Sequence, residues 1–265
     1  MAKPIVFFGE LLIRLTAPGR ELLMQSHGFD VHVGGAEANV AVGLARLGHD
    51  TAMVSAVPDN ALGRGAVSAI RAHNVDCSNV QARDGRMGLY FLAQGAGLRA
   101  SEIVYDRLGS SFAHMNAADF DWDILLRDAK MLHLSGITPA LGPQSAEAAL
   151  AAAKAELKAS GYKGEPVIIL EVAGSISQTA SRVLVQNMRD VGFTVEQQPR
   201  HLGQPSLGVA HGSEGPRIIL RSPVTLTINH HITHTPFLRH TNHGIIYRCI
   251  SMWMILTKYF SYDPC

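Results

Sequence analysis

Runs of consecutive apolar residues alternate along the first 158 residues with segments whose apolar positions recur at helical spacing. Uninterrupted apolar runs are typical of strands that a parallel sheet buries on both faces. The predicted strands are residues 5–9, 51–57 and 131–135. The predicted helices are one that Gly34 and Gly35 open and that runs through Leu47, and then 61–74, 110–115, 122–127 and 145–159.

Three short segments between the second and third of these helices have the composition of strands. They are residues 78–81, 87–94 and 102–107, and a glycine-containing loop at 95–100 joins the last two as a hairpin. Strand–helix alternation with such an insertion predicts an α/β fold. We expect a parallel sheet flanked by helices, with a small β flap, or lid, at about residues 78–107.

The composition changes after residue 158. The apolar pattern of residues 159–200 predicts one more strand–helix–strand unit, with strands at 167–170 and 193–197 and a helix at 177–191. The last 65 residues, 201–265, carry seven histidines and only two acidic residues. Strands at 224–228 and 232–235 are possible there, and 245–256 fits either a strand or a helix. We therefore divide the chain into 1–158, 159–200 and an unassigned His-rich tail.

The charge balance narrows the possible partners. Among 265 residues, 23 are basic and 22 acidic, so no excess positive charge favours nucleic acid or an anionic membrane surface. The longest late apolar stretch, 245–260, is interrupted by Arg248 and Lys258 and is shorter than the ~20 residues of a membrane span. Three scattered cysteines do not make a disulfide framework. These observations predict a soluble, cytoplasmic protein.

The pattern Gly34-Gly35-Ala36-Glu37-Ala38-Asn39 is the strongest chemical signal. Paired glycines let a backbone approach a ligand closely, and a helix N-terminus offers free N–H groups. The Asn39 amide supplies both a donor and an acceptor, which suits sugar hydroxyls. From the residues alone, a tight strand–helix turn with a buried asparagine explains the pattern equally well.

The wider context resembles the PfkB/ribokinase family of carbohydrate kinases. The family pattern continues from Gly34 through Gly48 and again over residues 54–63. Within the family, the chain is most similar to the 2-keto-3-deoxygluconate kinases. The segments that carry this similarity are 9–15, 105–111 and 133–137. The resemblance covers residues 1–158 and implies the ribokinase-like fold, with ATP and Mg²⁺ as cofactors and a small sugar acid as substrate.

The resemblance also implies six substrate-binding residues. Gly34, Gly35 and Asn39 would hold substrate hydroxyls. Tyr90 and Tyr105 would cover the sugar from the flap. Arg107 would pair with the substrate carboxylate through its planar fork. The alternative is that the two tyrosines merely pack on each other and that the arginine is solvated.

One family signature is missing. The pattern Asp-x-x-Gly-Ala-Gly-Asp would supply an anion hole and the catalytic aspartate, and the only Gly-Ala-Gly here, residues 95–97, is followed by Leu98 in the flap. The arginine-bearing segment expected after strand 167–170 is replaced by Glu171-Val172-Ala173-Gly174. We therefore leave the catalytic residues unassigned. Two functions remain: a kinase of 2-keto-3-deoxygluconate or a similar sugar acid with impaired activity, or a catalytically inactive fusion or truncated sugar-acid-binding module.

Three further expectations concern the rest of the chain. Residues 161–198 are similar to part of the peptide-binding proteins of ABC transporters, although a generic strand–helix–strand unit explains them as well. Five histidines cluster in the tail, but without a recognisable metal motif we predict no metal site. They are His230, His231, His234, His240 and His243. An exposed flap edge favours pairing with a second copy, so a homodimer through the flap is plausible.

Overall fold

The computed structural model describes residues 3–172, 176–200 and 218–221. The first strands are β1 (Ile5–Phe8), β2 (Leu12–Thr16), β3 (Asp30–Gly34), β4 (Thr51–Pro58), β5 (Asp76–Arg83), β6 (Gly88–Ala93), β7 (Glu102–Asp106) and β8 (Met131–His133). The later strands are β9 (Val167–Val172), β10 (Val195–Arg200) and β11 (Ile218–Arg221). The helices are α1 (Ala36–Arg46), α2 (Ala61–Arg71), α3 (Trp122–Arg127), α4 (Pro143–Ala159) and α5 (Ile176–Val191).

A four-stranded parallel sheet forms the body of the molecule, in the order β5-β4-β1-β8. Every residue of β1 and β4 is buried, as their continuous apolar runs predict. Alternate residues of β1 point to opposite faces. Ile5 and Phe7 pack with α1 and α2, whereas Val6 and Phe8 pack with α3 and α4. The predicted parallel sheet flanked by helices is confirmed.

The lid is a second four-stranded sheet, in the order β3-β2-β6-β7. The predicted hairpin is present, because β6 and β7 pair antiparallel. The other two strands were not predicted. The apolar N-terminal segment predicts one strand, whereas the chain leaves the body at Gly9 and enters the lid at Leu12. Each missed strand is short and partly polar, and only distant pairing stabilises it, since Leu12 lies opposite both Gly34 and Gly88.

Two other local predictions were wrong. Residues 78–81, predicted for the flap, belong to β5, which pairs in parallel with β4 at the edge of the body sheet. A half-buried edge strand has the same pattern in either sheet, so only tertiary pairing separates the two cases. Residues 111–114 form turns and not the predicted helix, and they place Phe112 and Met115 in the core.

The third sheet is parallel and has the order β10-β9-β11. Strands β9 and β10 together with α5 form the strand–helix–strand unit predicted for this region, and β11 comes from the segment that the sequence left unassigned. Its buried residues, among them Leu184, Met188 and Phe193, continue the hydrophobic core built on α4. The unit is thus packed against the body through α4.

Several sequence-based expectations fall outside the described residues. They are the possible strands at 224–228 and 232–235, the segment 245–256 and the five clustered histidines. Within the described ranges, no helix has the length and apolar character needed to cross a membrane. The same ranges contain no group of three or more His, Cys, Asp or Glu side chains placed to hold a metal ion.

Candidate functional site

The glycine pair lies where β3 ends and α1 begins. Gly34 is the last residue of the strand, and Gly35 is the N-cap of the helix. A Cβ atom at Gly35 would collide with the backbone carbonyl oxygen of Glu10, so the close approach of these two segments requires glycine. The turn brings the free N-terminal N–H groups of α1 to the junction of lid and body.

Asn39 lies one turn into α1. Its backbone N–H donates to the carbonyl oxygen of Gly35 (2.9 Å), and its side-chain oxygen lies 3.3 Å from the position that a Cβ of Gly34 would take. The side chain is exposed, unlike the buried asparagine of the alternative interpretation. It is therefore accessible to a ligand at the glycine pair.

The two predicted tyrosines are partners across the lid hairpin. Tyr90 on β6 lies directly opposite Tyr105 on β7, and their ring centroids are 5.7 Å apart with a tilt of 37°. The rings thus pack on each other, as the simpler interpretation has it. Tyr105 is nevertheless 61% exposed, so the pair still offers aromatic surface to a ligand.

The register extends this pair into a row across the whole lid. Arg14 on β2 lies opposite both Tyr90 and His32, so Arg14, His32 and the two tyrosines occupy one face. The Nε atom of Arg14 is buried and has no hydrogen-bond partner among the described residues. Arg14 was not predicted as a site residue, because its place beside the tyrosines depends on pairing between strands far apart in the chain.

Arg107 is not solvated, which corrects the simpler interpretation of this residue. Its Nε and Nη2 atoms both contact Oε2 of Glu10, at 2.7 and 2.6 Å. The exposed fraction of the side chain is 16% for Arg107 and 1% for Glu10. Contacts within the described residues leave Nη1 of Arg107 without a partner, so one edge of the guanidinium can meet a ligand.

Glu10 therefore connects the predicted site residues. It lies in the crossover from β1 to β2, its carbonyl oxygen lies against Gly35, and its carboxylate lies against Gly88 and Arg107. Gly34 and Gly88 both lie opposite Leu12, two residues along the strands from the row that contains the tyrosines. The glycine turn, the tyrosine face and the arginine thus surround the junction of lid and body.

Burial raises the pKa of the Glu10 carboxyl above its usual 4.5. The positive charge of Arg107 and a hydrogen bond from Ser110 partly offset this effect, whereas the nearby Glu37 carboxylate adds to it. Glu37 is also buried, and its Oε1 accepts the backbone N–H of Ser135 (2.8 Å) and the hydroxyl of Thr138 (3.3 Å). These bonds fix the first turn of α1 to the loop that follows β8.

Sequence reasoning missed Glu10 and Glu37 as site residues. A signal does exist, since each glutamate lies against a glycine that has no room for a side chain: Gly88 for Glu10 and Gly9 for Glu37. Each pairing joins residues far apart in the chain. The spacing along the sequence alone therefore does not reveal it.

Comparison with known proteins places these features in a family context. The model of the pfkB family carbohydrate kinases matches residues 2–186. A 2-dehydro-3-deoxygalactonokinase from Haloferax volcanii is 36% identical over 141 residues, which are 53% of this chain and 44% of that protein. A 2-dehydro-3-deoxygluconokinase from Thermoproteus tenax is 33% identical over 139 residues, 52% of this chain and 42% of the relative.

Solved structures of sugar kinases are also similar to this chain. The crystal structure of 2-dehydro-3-deoxygluconokinase from Thermotoga maritima matches with a TM-score of 0.61 and 33% identity, over 72% of this chain and 57% of that one. An uncharacterized sugar kinase from Pyrococcus horikoshii in complex with ATP matches with a TM-score of 0.52 and 25% identity, over 71% and 58%. The match to this chain thus spans less than half the length of these curated relatives and less than two thirds of these solved structures.

The family match also bears on the later part of the chain. It ends at residue 186 and so includes most of the segment 161–198. The similarity of that segment to transporter peptide-binding proteins stays a prediction. The three-part division of the chain likewise stays a prediction.

Proposed function

We propose, since the chain belongs to the pfkB family of carbohydrate kinases, that it binds a 2-keto-3-deoxy sugar acid such as 2-keto-3-deoxygluconate, the acceptor of a phosphoryl group in a kinase reaction. The observation that carries this proposal is the environment of Arg107, whose side chain is mostly buried. Glu10 holds its Nε and Nη2, whereas the part of the chain that the structure describes supplies no partner for Nη1. A fixed cation suits a ligand that carries a carboxylate. Relatives named for 2-keto-3-deoxy sugar acids support the choice of substrate class.

The remaining residues would take complementary roles. The turn at Gly34 and Gly35 gives a hydroxyl group close access to the N-terminus of α1. The exposed Asn39 amide can donate to one hydroxyl and accept from another. The exposed surface of Tyr90 and Tyr105 would cover the apolar face of the sugar, and Arg107 would bind its carboxylate.

ATP and Mg²⁺ are the cofactors that the family implies. Among the described residues no acidic cluster is placed to hold Mg²⁺, and the sequence contains no Gly-Ala-Gly-Asp that would receive the transferred phosphate. We therefore derive no phosphoryl-transfer step from these residues. The cytoplasmic location expected from the sequence also stays a prediction.

A second candidate is a sugar-acid-binding module without turnover. The missing Gly-Ala-Gly-Asp favours it, because that signature would supply both the general base and the anion hole. A general base is typically worth ~10²–10⁴-fold in rate, and an anion-hole donor ~10²–10³-fold. Both candidate functions share the sugar-acid site, and they differ only in whether a phosphoryl group is transferred.

Calorimetry with 2-keto-3-deoxygluconate in the absence of ATP tests the shared site. We expect binding by the full chain, and we expect Arg107→Ala to remove most of it. Arg46→Ala is the matched control, since Arg46 lies at the far end of α1 from the glycine turn and its side chain contacts His73. Equal affinity of the wild type and Arg107→Ala would refute the role of Arg107.

A further inference from the structure

Glu10 occupies an unusual position for a charged residue. It lies between a strand of the body and a strand of the lid, and its side chain is 1% exposed. Gly88 provides the space for the carboxylate, because a Cβ at that position would collide with Oε1. The fold therefore accommodates a carboxylate at this point by omitting a neighbouring side chain.

The ion pair with Arg107 is a poor candidate for stabilisation alone. Removing two charges from water costs about as much as their attraction returns, so a buried pair is weak evidence for stability. Burial also disfavours the charged form of Glu10. Retention of the charge at such a cost needs another explanation.

The geometry of the pair provides one. Two nitrogen atoms of Arg107 share one oxygen of Glu10, which fixes both the position of the guanidinium and the orientation of its plane. A planar fork held in this way presents its remaining edge in one direction only. A ligand carboxylate that meets this edge finds donors already oriented, so less conformational entropy is lost on binding.

We propose that Glu10 is a positioning residue that orients Arg107 toward the carboxylate of the substrate and thereby makes the site select sugar acids over neutral sugars. This inference rests on the proposed function. Glu10 acts through Arg107 and does not itself touch the ligand. Its own negative charge partly cancels that of the arginine, so what it contributes is orientation and not attraction.

This balance of charges gives a decisive experiment with Glu10→Gln, which keeps the shape of the side chain and removes the charge. If orientation matters, the variant binds 2-keto-3-deoxygluconate about 10–100-fold more weakly, the range of a hydrogen bond to a charged group. If attraction alone matters, the uncompensated Arg107 binds the acid more tightly. Unchanged or tighter binding overturns the proposal.

The methyl ester of 2-keto-3-deoxygluconate separates orientation from general damage to the site. The positioning role predicts that Glu10→Gln lowers the ratio of acid affinity to ester affinity. A purely structural role lowers both affinities equally and overturns the proposal. Asp119→Asn is the matched control, because it removes the carboxylate of another partly buried arginine pair, that with Arg83, and should leave the ratio unchanged.

A measurement without ligand distinguishes the failure of this inference from that of the proposed function. The NMR signal of the Arg107 Nε–H should shift as Glu10 titrates in the wild type and should lose that response in Glu10→Gln. The charged groups that act on Glu10 are Arg107 and Glu37, and Glu10 in turn raises the pKa of Arg86. A signal that does not respond in the wild type overturns the inference while wild-type binding of the acid upholds the proposed function.

Two further outcomes also decide whether the proposal holds. If the wild type does not bind the acid, the proposed function fails and this inference fails with it. If Glu10→Gln does not fold, the wild type is measured over pH: affinity for the acid should fall as Glu10 is protonated, in parallel with the Arg107 signal. Affinity that stays constant across that titration overturns the proposal.

Discussion

Glu37 in the first turn of α1 accepts a hydrogen bond from the backbone N–H of Ser135, which follows β8 almost a hundred residues later in the chain. The bond is 2.8 Å long, and the carboxylate is buried. The helix that carries the glycine turn is thereby fixed to the loop beyond the neighbouring body strand. The position of the candidate site depends on this long-range contact.

Replacing Glu37 by alanine should therefore destabilise the protein. The backbone N–H of Ser135 loses its acceptor, whereas the hydroxyl of Thr138 can still donate to the carbonyl oxygen of Phe8 (3.4 Å). A donor that is left unpaired away from water costs about 1–3 kcal/mol. Denaturant unfolding measures the change. Glu147→Ala, on the exposed face of α4, is the control and should stay within about 0.5 kcal/mol of the wild type. Equal stability of the two variants would contradict the structural role of Glu37.

Tyr105→Ala should weaken binding of 2-keto-3-deoxygluconate by about fivefold, through loss of an aromatic contact worth roughly one kcal/mol. The free energy of unfolding should change little, because the side chain is largely exposed. Calorimetry and denaturant unfolding of the same variant test both parts. Leu98→Ala, at the exposed end of the hairpin, is the control for lid damage. A variant that binds like the wild type would show that the tyrosine pair only packs the lid.

The pH dependence of stability should carry a contribution from Glu10. Its pKa is raised in the folded state, mainly by burial, so the folded protein binds this proton more tightly than the unfolded chain. The contribution is fully present below about pH 4.5 and is lost as the pH rises through the raised pKa. Subtracting the stability profile of Glu10→Gln from that of the wild type isolates it. A difference that grows more favourable with rising pH would show the opposite sign.

A homodimer through the lid is our expectation for assembly. On the face opposite the tyrosines, Val31, Leu15, Phe91 and Val104 form a row across all four lid strands. Val31 is 65% and Val104 45% exposed, so the row offers apolar surface to a second copy. Val31→Arg should yield a monomer by light scattering, whereas Leu98→Arg should not. A monomeric wild type at high micromolar concentration would exclude this dimer.

We expect no measurable ATP-dependent phosphorylation of 2-keto-3-deoxygluconate by the purified chain. The reason is the missing Gly-Ala-Gly-Asp, which would provide the base and the anion hole. A coupled assay of ADP release measures turnover, with Arg107→Ala as the control for substrate dependence. Substrate-dependent rates of ~1–10³ per second, the ordinary range for enzymes, would show that other residues replace the signature.

The sequence predicts best those features that local pattern determines. The apolar runs of β1 and β4 and the glycine loop of the β6–β7 hairpin were recognisable, because burial and turn chemistry show directly in short windows. Strands β2 and β3 were not, because they are stabilised by partners elsewhere in the chain. The same limit applies to the site: the glycine turn follows from its motif, whereas the contact of Glu10 with Arg107 joins residues 97 positions apart.

The order of strands in the lid has a consequence for how the protein folds. The chain forms β2 and β3, returns to the body for α1, β4, α2 and β5, and only then supplies β6, which lies between β2 and β7. During synthesis, more than fifty residues separate the end of β3 from the start of β6. Strands β2 and β3 are therefore made well before the strand that pairs with β2 on its other side. Contacts of such sequence separation form slowly, since the loop must close before they are made. We expect the body sheet to fold first and the lid, with the candidate site, to be completed last.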